Sequence, residues 1–319
     1  MDTTGVNLLL GVDDSEAARE AVAATGLLLG GKQDLRVTIF HGAPDPDRTS
    51  LAKLLRLTPE ALEEYLRIVH QQKLKCLEQA RMVVMQAGLA EEKVAIRCEP
   101  RCTDPARGLL KFAAAEGFDT IALARSRAPR PERLLLGSVP YRLVHLAEEK
   151  AVWVIDGPLA SRDVLVTLVG APISRRVMEY TLRYFSHLRE SRFTLFHVIP
   201  PTPPIDWGDP LTVGRLGESE REAAKARWMK EYSARVEAIA AEGKDKLLEA
   251  GVPEGNIAVK VQPGRRGMAR DILVELAWGN YGILLMGRKG SKDISQFELG
   301  SIALKVLENA GACMVCLVS

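Results

Sequence analysis

The feature that most limits what this chain can fold into is a duplication, because an internal repeat fixes the unit of architecture before any single element is assigned. The run VNLLLGVDDSEAAREAV (Val6–Val22) has a counterpart in DVLVTLVGAPISRRVMEY (Asp163–Tyr180). Each is an apolar stretch, a turn and then an amphipathic helical pattern. VTIFHGAPDP matches FTLFHVIPPTPP, with His41 and His197 at equivalent places. QAGLAEEKVAIRCEP matches EAGVPEGNIAVKVQP, and FDTIALARSR matches YGILLMGRKG. Both halves close with a Gly-Ser, a short helical pattern and a last apolar run, LLLGSVPYRLVHLAEEKAVWVI and FELGSIALKVLENAGACMVCLV.

The strand-like runs are continuously apolar rather than alternating, the mark of parallel strands covered by helices on both faces. The expected fold is therefore α/β, two tandem open parallel sheets of five strands each with helices on both faces. The Gly, Pro and Ser of DGPLASR (Asp156–Arg162) suit a short linker. Domains are expected at residues 1–157 and 162–319, with the boundary near Ser161. Each half also predicts a long helix, about Pro59 to Ala87 and about Glu218 to Ala250. In the second, Trp228, Tyr232, Val236 and Ile239 recur at helical spacing, which packing against a sheet explains. The stretch PPTPPIDWGDP before it reads as a loop.

Composition narrows the function classes. The formal charge of +2 arises from 43 basic and 41 acidic residues, so no global field draws the chain to nucleic acid or anionic membrane. No apolar run is long enough to span a bilayer, and a cytoplasmic location is expected. Five widely spread cysteines fit reduced thiols. Cys313 and Cys316 form a C-x-x-C, but within a strand pattern that points them to opposite faces. The histidines show no metal-ligand pairing, and His41 and His197 read as packing or capping residues that end strands.

One loop carries chemistry. In the second half ILLMG runs into GRKGSKDISQFELGS, which spaces Gly287, Gly290, Gly300 and Ser301 as G-x-x-G, nine residues, G-S. Glycines after a parallel strand let amide N–H groups approach an anion closely. Gly300 and Ser301 then open a helix whose N-terminal amides and partial positive charge favour phosphate. Neither a Walker loop nor a G-x-G-x-x-G after a first strand is present. The bland alternative is a surface loop with two turn glycines.

On these residues both halves resemble the universal stress protein family, and together they resemble its tandem two-domain members over nearly the whole chain. The resemblance implies an adenine nucleotide, ATP or AMP with or without Mg. It also implies an acid closing the first strand that meets base or ribose, and a pocket lined by the end of the second strand. In the first half Asp13 matches that acid, and Gly137 and Ser138 match the last two loop positions. Ala124 and Arg127 replace the early glycines. In the second half the loop is intact, and Val169 stands where the acid would be. Val198, Met286 and Ile302 complete the residues expected around its ligand. The second half is therefore the expected nucleotide site. The arginine cluster Arg125, Arg127, Arg130 and Arg133, and the GRRG at Gly264–Gly267, read as solvated basic loops or local anion sites. The family also implies an internal pseudo-dimer through AVWVI and CMVCLV, with a homodimer left open; the balanced charge and the lack of a long apolar run lead to the expectation of neither nucleic acid nor membrane as partner. The reading is a stress-response regulatory binder with slow hydrolysis at most. Two alternatives remain: a degenerate scaffold, and a first-half pocket for another small ligand such as a lipid or anion.

Overall fold

The computed structural model describes residues 5–42, 48–99, 102, 104–125, 138–200, 217–288 and 299–319. Each repeat supplies five strands. The first runs β1 (Val6–Gly11), α1 (Glu16–Leu29), β2 (Leu35–Gly42), α2 (Arg48–Leu55), α3 (Pro59–Gln86), β3 (Val94–Glu99), α4 (Pro105–Ala115), β4 (Thr120–Ala124), α5 (Ser138–Leu146) and β5 (Ala151–Ile155). The second runs β6 (Val164–Thr167), α6 (Ala171–Phe185), β7 (Phe193–Ile199), α7 (Glu218–Glu249), β8 (Ile257–Pro263), α8 (Met268–Trp278), β9 (Ile283–Gly287), α9 (Ser301–Asn309) and β10 (Met314–Val318). Helix α2, which the periodicity did not announce, has no counterpart among the described residues of the second repeat.

Contacts divide the chain between Ala160 and Ser161, and the first unit also takes Gly311–Ser319. Its strands lie in the order β3-β2-β1-β4-β5-β10. β1 sits between β2 and β4, parallel to both, with Leu8 opposite Val37 and Thr120. The chain thus leaves β1 toward one side and later returns to its other side, which opens a crevice at the carboxyl ends of β1 and β4. β10 joins β5 antiparallel, Met314 opposite Ile155 and Leu317 opposite Val152. This is the pairing of AVWVI with the C-terminal strand that the pseudo-dimer requires. In the second unit the order is β9-β6-β7-β8, and β6 is parallel to both β7 and β9.

Local chemistry sets the element ends. Thr58 caps α3 by accepting the Ala61 amide at 3.3 Å, and Pro59 follows at the first helical position. α3 and α7 both stop at an Ala-Gly pair, and Gly88 (φ 106°) and Gly251 (φ 84°) adopt the left-handed backbone that ends a helix. The strands are buried throughout β5, β6, β7 and β10. Cys313 and Cys316 are part of that burial, and the Cys313 thiol is pushed up to about 12 by desolvation. The GRRG loop is a helix cap: the amides of Arg265 and Arg266 donate to buried Asp271 in the first turn of α8, at 2.9 and 3.3 Å.

Candidate functional site

The crevice of the first repeat holds a cavity of about 240 Å³ at the carboxyl ends of β1 and β4. Val12 and Asp13 beyond β1, His41 and Gly42 from β2, Ala124 ending β4, and Ser138 and Val139 opening α5 line it. It lies just under the roughly 300–1,000 Å³ usual for small-molecule sites. Asp13 is held by its own turn: Oδ1 accepts the Ser15 amide at 3.0 Å and the Ser15 hydroxyl at 2.5 Å. Ser15 Oγ in turn accepts the Ala18 amide at 3.1 Å and caps α1. Among the described residues Oδ2 of Asp13 has no hydrogen-bond partner. Asp14 is ion-paired with Lys73 of α3, whose ammonium holds the Asp14 carboxyl below its usual range.

Two histidines support the crevices in the same way. His41 Nδ1 donates to the Val12 carbonyl at 2.8 Å, and His197 Nδ1 donates to the Leu168 carbonyl at 2.6 Å. Because a carbonyl only accepts, each Nδ1 carries a proton. Each Nε2 is buried with no hydrogen-bond partner among the described residues. Burial pushes the His197 imidazole down, toward the neutral form. Both rings thus brace the chain just past the first strand of their repeat, the packing role expected of them.

In the second repeat the acid position, Val169, donates its amide to buried Ser174 Oγ at 2.8 Å. Val198 and Met286 are buried, and Gly287 ends β9. The far end of the loop returns to the strand, since the Gly300 amide donates to the Arg288 carbonyl at 3.0 Å. Gly300 then caps α9 with φ −59° and ψ 140°, and as a glycine it brings no side chain to the helix amides. Ser301 is exposed at the first helical position and Ile302 is half-buried behind it. On α7, Trp228 stacks on Tyr232 at 4.8 Å between centroids, and Tyr232 meets the His197 ring at 5.5 Å.

Asp13 and Ser138 are thus brought to one cavity, while Gly300, followed by Ser301, is tied to Arg288, the neighbour of Gly287. Gly137, Gly290, Arg127, Arg130, Arg133 and the PPTPPIDWGDP loop after Pro200 lie outside the described residues. Arg125 departs from the solvated basic loop expected of it. Its guanidinium is nearly buried and pairs with Asp156 at 3.2 Å, because the chain leaving β4 runs beside the end of β5. Lys73 was missed altogether; its signal in the sequence is a lysine where the other long helix carries Val236. Among the described residues no group of three or more His, Cys, Asp or Glu could hold a metal ion. No described helix is long and apolar enough to cross a membrane.

Comparison with known proteins bears on this site. The sequence model of the universal stress protein family matches residues 7–155 and again 161–319. No curated protein matches significantly. Among solved structures, a universal stress protein from Archaeoglobus fulgidus DSM 4304 aligns over 100% of this chain and 99% of its own, at 17% identity and a TM-score of 0.61. A functionally unknown protein from Pseudomonas aeruginosa PAO1 aligns over 98% of this chain and 92% of its own, at 11% identity and a TM-score of 0.57. Likeness at these identities speaks to the fold.

Proposed function

Since the chain belongs to the universal stress protein family, with two of its domains in tandem, we propose that it is a stress-response regulatory protein that binds an adenine nucleotide, ATP or AMP. The phosphates are gripped chiefly by the second repeat. The observation that carries this reading is the start of α9: Gly300, a cap with no side chain, ties the helix N-terminus to the carbonyl of Arg288, the residue after β9. The amides of that terminus and the exposed Ser301 hydroxyl are donors suited to phosphate, reinforced by the helix dipole. Gly287 and Gly290 complete the cradle, and Mg accompanies the phosphates where ATP is bound. Calorimetric titration of ATP into the full chain and into Gly290→Val tests the grip. The variant is expected to bind at least about tenfold more weakly, the scale of losing charge-assisted hydrogen bonds. Equal affinities would overturn the assignment to this loop.

The first repeat has a pocket of its own suited to the nucleoside end of such a ligand. Its cavity presents the Asp13 carboxylate, a strong acceptor for a ribose hydroxyl, beside the apolar walls of Phe40, Leu109 and Leu123. The scaffold alternative draws on the division of the motif, acid in one repeat and glycines in the other. Under it, partner binding survives Gly290→Val unchanged.

A further inference from the structure

The two repeats are an internal control for each other. Counting back from the shared Ala-Gly stops of α3 and α7, Lys73 corresponds to Val236 and Cys76 to Ile239. The buried positions agree with this register, Leu77 with Ala240 and Val84 with Leu247. At the end of the first strand Asp13, Asp14 and Ser15 correspond to Val169, Gly170 and Ala171. In the first repeat two of these positions interact: Lys73 Nζ pairs with Asp14 Oδ2. Arg19 ties the same residue from α1, its Nη1 donating to the Asp14 carbonyl at 3.1 Å. The next residue in each direction is functional or structural: Asp13 faces the cavity, and Ser15 caps α1.

The second repeat builds the same fold with an arginine, Arg175, at the Arg19 position but without the acids, the serine cap, the lysine or the cysteine. Val236 fills the Lys73 position as a buried apolar side chain, 2% exposed. The histidine brace, by contrast, is kept in both repeats. What the fold needs is therefore retained twice, and the Lys73–Asp14 pair is present only where the acid is present. Two adjacent carboxylates at one turn repel each other, and an ammonium on the second relieves that repulsion while fixing the turn.

We propose that Lys73 is a positioning residue for Asp13: by holding Asp14 it fixes the acid-bearing turn at the first-repeat cavity and keeps that repeat competent to bind the nucleoside end of an adenine nucleotide. This rests on the nucleotide reading above and assigns a residue that the loop motif does not include. Lys73 acts through Asp14 and makes no ligand contact of its own.

The test is AMP titration by calorimetry on the full chain carrying Gly290→Val, so that binding reports the first repeat. Adding Lys73→Met is expected to weaken AMP about tenfold, while Lys73→Arg, which keeps the charge, stays within about twofold. In an Asp13→Asn background, Lys73→Met is expected to have no further effect, the non-additivity of residues acting through one another. The thermal midpoint of Lys73→Met should remain that of its parent. Undiminished AMP binding by Lys73→Met overturns the proposal, as does an equal loss in the Asp13→Asn background, which would make Lys73 a ligand contact. So does a loss that follows a fallen midpoint and is not rescued by arginine. If the Gly290→Val parent takes no AMP while the unsubstituted chain binds it, the first-repeat site and this inference fall and the second-repeat reading stands. If the unsubstituted chain binds none, the nucleotide reading itself falls.

Discussion

Among single residues, neighbours set the charge. The Asp14 carboxyl is lowered chiefly by its hydrogen bond to Lys73. A carboxylate depressed on folding stabilises the native state above its unfolded value, near about 4, and that contribution fades as pH falls through the folded value. Asp14 stays half-exposed, so solvent screening keeps the effect small. Lys73→Met should therefore raise the Asp14 titration midpoint toward the ordinary carboxylate value, read by NMR. An unmoved midpoint would mean that the ion pair does not set it. The thiols divide by the same logic. Burial pushes Cys313 up to about 12 and Cys316 well above its ordinary value, while Cys76 and Cys98 are only half-buried. Alkylation of the folded chain at mildly alkaline pH should mark Cys76 and Cys98 well before Cys313 and Cys316. Early labelling of the C-x-x-C would speak against the buried strand.

Elements follow from patterns that survive in the sequence to differing degrees. The parallel strands were legible because burial on both faces makes each a continuous apolar run, as in LLLG of β1 or FTLFHVI of β7. The long helices were legible nearly to the residue, since Thr58-Pro59 and the Ala-Gly stops punctuate them. The Lys73–Asp14 pair was not, because it joins residues 59 apart and no local pattern announces it. Arg125 misled for a related reason: among arginines and prolines it reads as solvated, and only the course of the chain past β5 sets it against Asp156. Close helix packing was equally hidden. A Cβ on Gly30 would lie 2.0 Å from the Ala87 carbonyl oxygen, where α1 ends against the end of α3. Gly30→Ala should destabilise the fold by about 1–3 kcal/mol, the cost of overpacking, measured by denaturant unfolding. A neutral substitution would show that the two helix ends can part freely.

For the molecule as a whole, the duplication yields two unequal repeats rather than two redundant ones. The first repeat keeps Asp13 and the cavity, and the second keeps Gly287, Gly290, Gly300 and Ser301. The C-terminal strand belongs with the first unit, where β10 covers the edge of β5 with Cys316 opposite Trp153. Covering an apolar edge strand also protects it from pairing with other chains. Deleting Gly311–Ser319 should accelerate amide exchange in Ala151–Ile155 and promote self-association, seen by hydrogen-exchange mass spectrometry and light scattering. Unchanged exchange would contradict the pairing. The family resemblance and the repeat were legible in the sequence. The lining of each crevice was not, because that depends on which side chains the turns bring there. The most direct measurement is native mass spectrometry of the full chain with ATP and with AMP. A retained adenine-nucleotide adduct, reduced by Gly290→Val, is expected. A spectrum free of adduct at millimolar nucleotide would contradict it.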